Sequence, residues 1–367
     1  MNRTALLVLA GLLSGCLIPV EVGKDDAGGV GGGAAGVGGG AAGVGGGAAG
    51  VGGGAAGVGG GSGALCVLSD GGTNVTAWCL EQATNLRRCS DVALISCFEH
   101  PMAMAVDSTW LVWTTQGRGT YAREVAGGPV RKLDQGAEVS VSVAVRDGFA
   151  YWAESSSNAS VYRLALNGGA RETLATQQKF PRGLAVNATH AFWAAETTIL
   201  RVELGAGAAQ PFVSGENSPT GLALDATHLY WGNQLNGQIR RAPLTGGTPT
   251  TLFAGQALPW QLRVVNGYVY WNSDSANGDL KRGPVTGGTP EVLAPNQDVA
   301  REHVTDGVWL YWFAQGTNFG QPAPRIYRVP IAGGTPQIIL TPKRGGPLAL
   351  DGTTLYFGSE GVWSLPR

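Results

Sequence analysis

One pattern is written seven times between Met104 and the C-terminus: a strand of small residues, a tight turn, an aromatic pair, a third strand that usually bears Arg, and a Gly-rich turn. Counted on the second aromatic, Trp113, Trp152, Trp193, Trp231, Trp271, Trp312 and Phe357 recur at intervals of 39, 41, 38, 40, 41 and 45 residues. A unit of this length holds four short strands and cannot bury its apolar faces alone, so the copies must stack on one another. Period and strand count together predict an all-β chain, a seven-bladed β-propeller with four-stranded blades over residues 101–367.

Aligned on the aromatic pair, the first strands read AMAVD from Ala103, SVAVR from Ser142, GLAVN from Gly183, GLALD from Gly221, QLRVV from Gln261, EHVTD from Glu302 and PLALD from Pro347. Their alternating apolar positions suit stacked sheets. A bulky ring in every second strand suits wedge-shaped packing between blades better than ligand capture. Arg163, Arg201, Arg241, Arg282 and Arg328 share one position of the third strand, broken by Ala122 and Ser364. Spaced one blade apart, they are expected to bond between blades around the circumference. The glycine pairs that follow, such as Gly168-Gly169 and Gly246-Gly247, suit hairpins whose two central residues need positive φ. Asp107, Asn187, Asp225, Asp306 and Asp351 share a strand-end column explained by side-chain bonds to the next turn, and His190 and His228 read as solvent-exposed caps.

The seventh copy stops at Arg367 after its third strand, which leaves an open edge of the kind that aggregates. Val92 to Ser96 lies where the fourth strand of a preceding repeat would lie. It is expected to complete the last blade from the N-terminal side, a three-plus-one closure. Within residues 65–100, just ahead of the repeats, stand Cys66, Cys79, Cys89 and Cys97. Their even number predicts two disulfides, with the pairing left open by the spacing. Zinc is the competing use, but no Cys-x-x-Cys occurs and His100 is the one nearby histidine. A segment of about 35 residues has too little core to fold without such staples.

The N-terminus reads as an address. Arg3, the apolar run Ala5 to Leu13 and the closing Leu13-Ser14-Gly15-Cys16 have the order of a secretion signal, and the run is too short to span a bilayer. The LSGC ending resembles the lipobox of bacterial lipoproteins. That resemblance implies that residues 1–15 are removed and that Cys16 is lipidated, anchoring the chain to a membrane. Leu17 stands where Asp would retain an inner-membrane lipoprotein, so the implied address is the outer membrane of the cell envelope, on its periplasmic or surface face. From Gly29 to Gly63 the text is five GVGGGAA-type units without charge or aromatic residue. Four glycines in each seven would cost about 1 kcal/mol apiece in a helix, so residues 16–64 are expected to be a flexible tether. Roughly 35 residues of such coil span on the order of 30 to 35 Å. Net charge is −1 and no basic stripe is interleaved with aromatics, which excludes nucleic acid as a partner.

The phrases GLALDATHLYWGN from Gly221 and IRRAPL from Ile239 resemble the YWTD repeats of low-density-lipoprotein-receptor propellers and those of exported bacterial propellers. The resemblance covers residues 101–367 and implies the fold, while a propeller hosts unrelated functions. The chain departs from it in two ways. The Thr-Asp half of the motif is lost in most copies, as in Trp231-Gly232-Asn233, and the receptor propellers have six blades where seven are counted here.

A site should appear where columns near the central channel break from the consensus. The Pro-x-Gly start of the first strand becomes Pro259-Trp260-Gln261 in blade five and Ala300-Arg301-Glu302 in blade six. Arg263 replaces a column of alanines and His303 a column of apolar residues. Arg182 in blade three and Lys343-Arg344 before blade seven add charge on the same face. The candidate ligand-binding residues are therefore Trp260, Gln261, Arg263, Arg301, Glu302, His303, Arg182 and Arg344. Trp260 would stack on an acidic or sugar-like group while Arg263 or Arg301 pairs with it. In the competing reading, Arg263 and Glu302 pair with each other and fill the channel. Glu302 and His303 are the available catalytic candidates, but as neighbours on a strand they point to opposite faces. The expected function is a surface-anchored, monomeric, non-catalytic binding module for a protein or carbohydrate, with no cofactor or metal. An exported lyase or lactonase and a purely structural envelope role are the alternatives.

Overall fold

The computed structural model describes residues 64–66, 75–77, 93–96, 100–117, 119–134, 140–205, 207–275, 277–297, 300–315, 324–342 and 344–367. The signal, Cys16, the tether up to residue 63, Cys79, Cys89, Cys97, Val92, Lys343 and the side chains of Cys66 and Arg301 lie outside this description.

Seven antiparallel four-stranded sheets form the propeller. Blade one is Pro101–Val106, Trp110–Thr115, Gly119–Glu124 and Arg131–Lys132. Blades two to six follow in strict sequence order, with first strands Ser140–Arg146, Arg182–Val186, Pro219–Leu224, Pro259–Val265 and Ala300–Thr305. Blade seven joins Leu348–Leu350, Thr354–Gly358 and Val362–Pro366 to Ala93–Ser96. Ala93 pairs with Ser364 and Leu94 with Trp363, so the edge left open by the C-terminus is closed from the other end of the chain. Each first strand neighbours the first strands of the two adjoining blades, and the seventh meets the first, which closes the ring.

The aromatic pair explains why blades stack. Adjacent residues of a strand point to opposite faces, so each pair serves two seams. In blade five Trp271 packs with Tyr230, Ile239 and Phe253 of blade four, while Tyr270 packs with Leu310 and Trp312 of blade six. The apolar core accordingly falls into seven clusters, one at each seam. The six tryptophans of the column are wholly buried and Phe357 nearly so. Truncating a ring of this size in a packed seam costs about 3 to 5 kcal/mol.

Several seams also carry a polar latch. Trp193 Nε1 donates to Gln178 Oε1, Trp231 Nε1 to Glu216 Oε2 and Trp312 Nε1 to Gln297 Oε1, each acceptor lying 15 residues earlier, where the chain passes between blades. Gln256 and Trp271 have the same spacing in blade five, but Gln256 Oε1 and Trp271 Nε1 are both buried without a partner.

The turns hold one expected and one unexpected device. Asp107, Asn187, Asp225, Asp306 and Asp351 each accept two backbone N–H groups of the following turn through Oδ1, as the column predicts. Blades two and five instead use Asp147-Gly148 and Asn266-Gly267, whose φ values of 51° and 76°, and 50° and 78°, are those of a type I′ hairpin. The glycine pairs do have positive φ throughout. They are not the central residues of their turns, however. Gly168 N bonds to Ala165 O and Gly246 N to Pro243 O, so Leu166-Asn167 and Leu244-Thr245 are central and the glycines follow, reversing the chain toward the fourth strand.

Two surface columns also depart from expectation. Arg201 Nη1 donates to Leu244 O and Arg241 Nη1 to Val285 O of the next blade, which is the bonding foreseen. Arg163, Arg282 and Arg328 instead bind Glu172, Glu291 and Gln337, the residues opposite them on the fourth strand of their own blade. His190 and His228 are half-buried rather than solvent-exposed. Each ring lies against the next aromatic, Phe192 or Tyr230, with Nδ1 on the hydroxyl of the preceding Thr.

Candidate functional site

The first strands line a central cavity, and its chemistry is set by what stands in three of their columns. In blade four the third residue of the first strand is Gly221, at φ +59°; a Cβ there would overlap the Trp260 carbonyl oxygen and crowd Leu262 N, because the backbones of blades four and five come together at that point. Gly183 permits a similar approach between blades three and four. Between blades five and six the corresponding residue is Gln261, and the two first strands touch along much less of their length. Side chains fill the difference.

Gln261 and Arg263 both face blade six and grip the backbone around His303. Gln261 Oε1 accepts His303 N–H at 2.7 Å, Gln261 Nε2 donates to Glu302 Oε2 at 2.6 Å, and Arg263 Nε donates to His303 O at 3.4 Å. Asn272, wholly buried, holds the seam from behind. Its Oδ1 accepts Gln261 N–H and its Nδ2 donates to Ala300 O. Thr114 does the same in blade one, accepting from Ala103 N and donating to Ser140 O. Sequence reasoning missed both residues, although a polar residue directly after the column tryptophan is a visible signal.

Arg263 lies between two compartments of the cavity. The larger, of ≈ 290 Å³, is walled by Val106, Val145, Leu184, Val304, Thr305 and Leu350 among others, and Arg263 is its one ionisable side chain among the described residues. The smaller, of ≈ 100 Å³, opens beside Ser142, Gln261 and Glu302. Burial pushes the Arg263 pKa down, with the Glu302 carboxylate partly offsetting the effect. The guanidinium stays charged even so, since arginine does not give up its proton in proteins. Apart from the bond through Nε, its nitrogens have no hydrogen-bond partner among the described residues.

His303 has a different fate. It is 1% exposed and sits in the seam where the other blades place Met104, Val143, Leu184, Leu222, Leu262 and Leu348. Neither ring nitrogen makes a hydrogen bond of ordinary geometry. Burial, with the nearby Arg263 charge, pushes its pKa down to about 3, so the ring is neutral and sealed away from the cavity.

The structure thus joins Gln261, Arg263, Glu302 and His303 in one cluster. Trp260 is half-buried near the start of its strand, two residues after Leu258, which is 41% exposed. Arg182 and Arg301 hold the same strand position as Trp260 in blades three and six. Arg182 is half-buried, and burial lowers its pKa. Arg344 is exposed and turns away to the His100 ring, 3.4 Å from Nη1. Leu258 has φ +39°, but His100, Phe180 and Ser218 share this left-handed conformation before the same proline column, so it belongs to the loop between blades. Among the described residues no three His, Cys, Asp or Glu side chains gather as a metal site requires.

No family model matches the sequence, and no curated protein matches it. Among solved structures, a chain of a nidogen/laminin complex is similar with a TM-score of 0.47 and 19% identity over 58% of this chain and 86% of its own. The computationally designed Ika8 protein is similar with a TM-score of 0.55 and 12% identity, over 75% of this chain and 98% of its own. At 12% identity the latter likeness speaks to the fold alone.

Proposed function

We propose that this chain is a lipid-anchored protein of the outer membrane that presents its propeller as a non-catalytic module for binding a protein or carbohydrate partner. The observation that carries the reading is the break in the repeat at the start of blades five and six. There an exposed Leu258 and a half-buried Trp260 lead along the chain into Gln261, which lines the smaller compartment together with Glu302 and Arg263. An aromatic face beside a few convergent polar groups is the usual make-up of a binding site. Binding is favoured over catalysis because His303, the one histidine of the cluster, is neutral and out of reach of a ligand in the cavity.

Two further features support the envelope address. The LSGC sequence ending at Cys16 suits lipidation, and the glycine-rich residues 16–64 suit a tether that would let the propeller search away from lipid. The YWTD-like wording of the repeats agrees with a presentation module but does not choose a partner.

The full-length protein, expressed in its envelope, should yield an N-terminal peptide that begins at an acylated Cys16, and Cys16→Ser should release the chain from the membrane. Binding to an array of uronic-acid oligosaccharides should weaken at least tenfold in Trp260→Ala. Detection of an unprocessed Met1 would remove the anchor from this reading, and equal binding by both proteins would remove the mouth.

A further inference from the structure

The larger compartment of the cavity poses a problem of charge that the mouth does not explain. Its lining side chains come from six blades and are mostly aliphatic, but the surface they leave open is largely polar, and the one charged residue among them is Arg263. In blades one, two, three, four and seven the same column is alanine, and in blade six it is Val304. A chain that needed only to fill the ring could have kept a small residue at 263. Withdrawing an arginine from water is unfavourable unless it is paired and hydrogen-bonded. Arg263 is half-buried, and its pairing is incomplete. Nε reaches one backbone carbonyl, and Glu302, the one carboxylate lining the adjoining compartment, is engaged by Gln261.

We propose that the ≈ 290 Å³ compartment binds a small organic carboxylate, its carboxylate held by the terminal nitrogens of Arg263 and its aliphatic part against Val106, Val145, Val304 and Leu350. The planar fork of arginine matches a carboxylate in bidentate fashion, and such a charge-assisted bond is about twice as strong as a neutral one. The aliphatic wall adds selectivity. The apolar part of the lining is the smaller one, but a chain of a few carbons covers it where an inorganic anion leaves it wet, and each methylene buried there gains at most about 0.8 kcal/mol. The volume is ample for this, since a water molecule takes up about 30 Å³ of liquid. The proposal rests on the reading of the cavity as a binding site and names the chemical class that its inner part accepts.

Calorimetric titration and thermal unfolding of the full chain at constant ionic strength and pH 7, with sodium acetate, butyrate, chloride and phosphate as probes, test it. Butyrate should bind and raise the midpoint, acetate less so, and chloride and phosphate least. Arg263→Met should reduce butyrate affinity at least tenfold. Without ligand this variant should unfold at the same or a higher temperature, since the unpaired charge is gone. Arg263→Lys keeps the charge without the fork and should also lose most of the affinity, which serves if the Met variant fails to fold. Trp260→Ala should leave the butyrate response intact. Equal shifts with all four anions would overturn the carboxylate class, and no response in the wild type, or an undiminished one in both Arg263 variants, would overturn the site. Either result leaves oligosaccharide binding at the mouth, and its dependence on Trp260, as a separate outcome.

Discussion

His303 and Glu216 show how much one polar side chain matters inside a seam. His303 is neutral in the fold, with its pKa pushed down to about 3, whereas an unfolded histidine titrates near 6.5. Below pH 6.5 the unfolded chain therefore binds the extra proton and the folded chain does not. Stability must fall as the pH drops from there toward 3, by at most about 1.4 kcal/mol per unit. His303→Leu, the residue type of blades three, four, five and seven, should remove that share of the acid sensitivity. It should also stabilise the protein at pH 7 by about 1 to 3 kcal/mol, the usual cost of buried unsatisfied polar atoms. Urea midpoints at pH 7 and pH 4.5 check both, and an unchanged difference between the two midpoints would contradict the assignment. Glu216, 3% exposed, accepts from Trp231 Nε1, Asn233 Nδ2 and Arg240 Nη1. Glu216→Ala strands all three donors and should cost about 3 kcal/mol. Glu216→Gln should cost less than half of that, because glutamine already makes the same latch at 178 and 297. Similar losses in the two variants, read from denaturant unfolding, would argue against the latch. The departures from the repeat that marked Arg263, Gln261 and His303 were legible residue by residue. Their partners were not, because Gln261 meets Glu302 across 41 positions of chain, and no local pattern records a contact between blades.

At the scale of the element, the seventh blade depends on four residues from the far end of the chain. Ala93–Ser96 covers Val362–Pro366, which would otherwise present a bare edge of backbone donors and acceptors. A chain lacking residues 93–96 should lose several ladder hydrogen bonds, each contributing about 1 kcal/mol, and should associate through the exposed edge. Size-exclusion chromatography and thermal unfolding report the two effects, and a monomer of unchanged midpoint would refute this account of closure. The closure was legible because one strand was missing at the end of the last repeat and one was left over before the first. The placement of the glycine pairs after the turn, rather than at its centre, was not. Positive φ is required in either arrangement, and only the Gly168 N to Ala165 O type of hydrogen bond tells which residues are central.

For the whole molecule, the ring distributes its core over seven equivalent seams, and the closing strand ties the start of the chain to its end. Moving residues 92–98 to follow Arg367 through a short glycine linker would keep the ladder while cutting that tie. The permuted protein should keep its strand content by circular dichroism and unfold at a lower temperature, and an equal or higher midpoint would show that the tie contributes nothing. The sequence alone determined the blade number, the four-stranded unit, the aromatic column and the means of closure, because each recurs with the period of the chain and follows from local alternation and from what a lone blade cannot bury. Only the tertiary structure decided what blades five and six do at the axis. There the backbones stand further apart at Gln261 than at Gly221, and whether Arg263 meets a carboxylate, a carbonyl or open space depends on distances across the ring that no stretch of sequence contains.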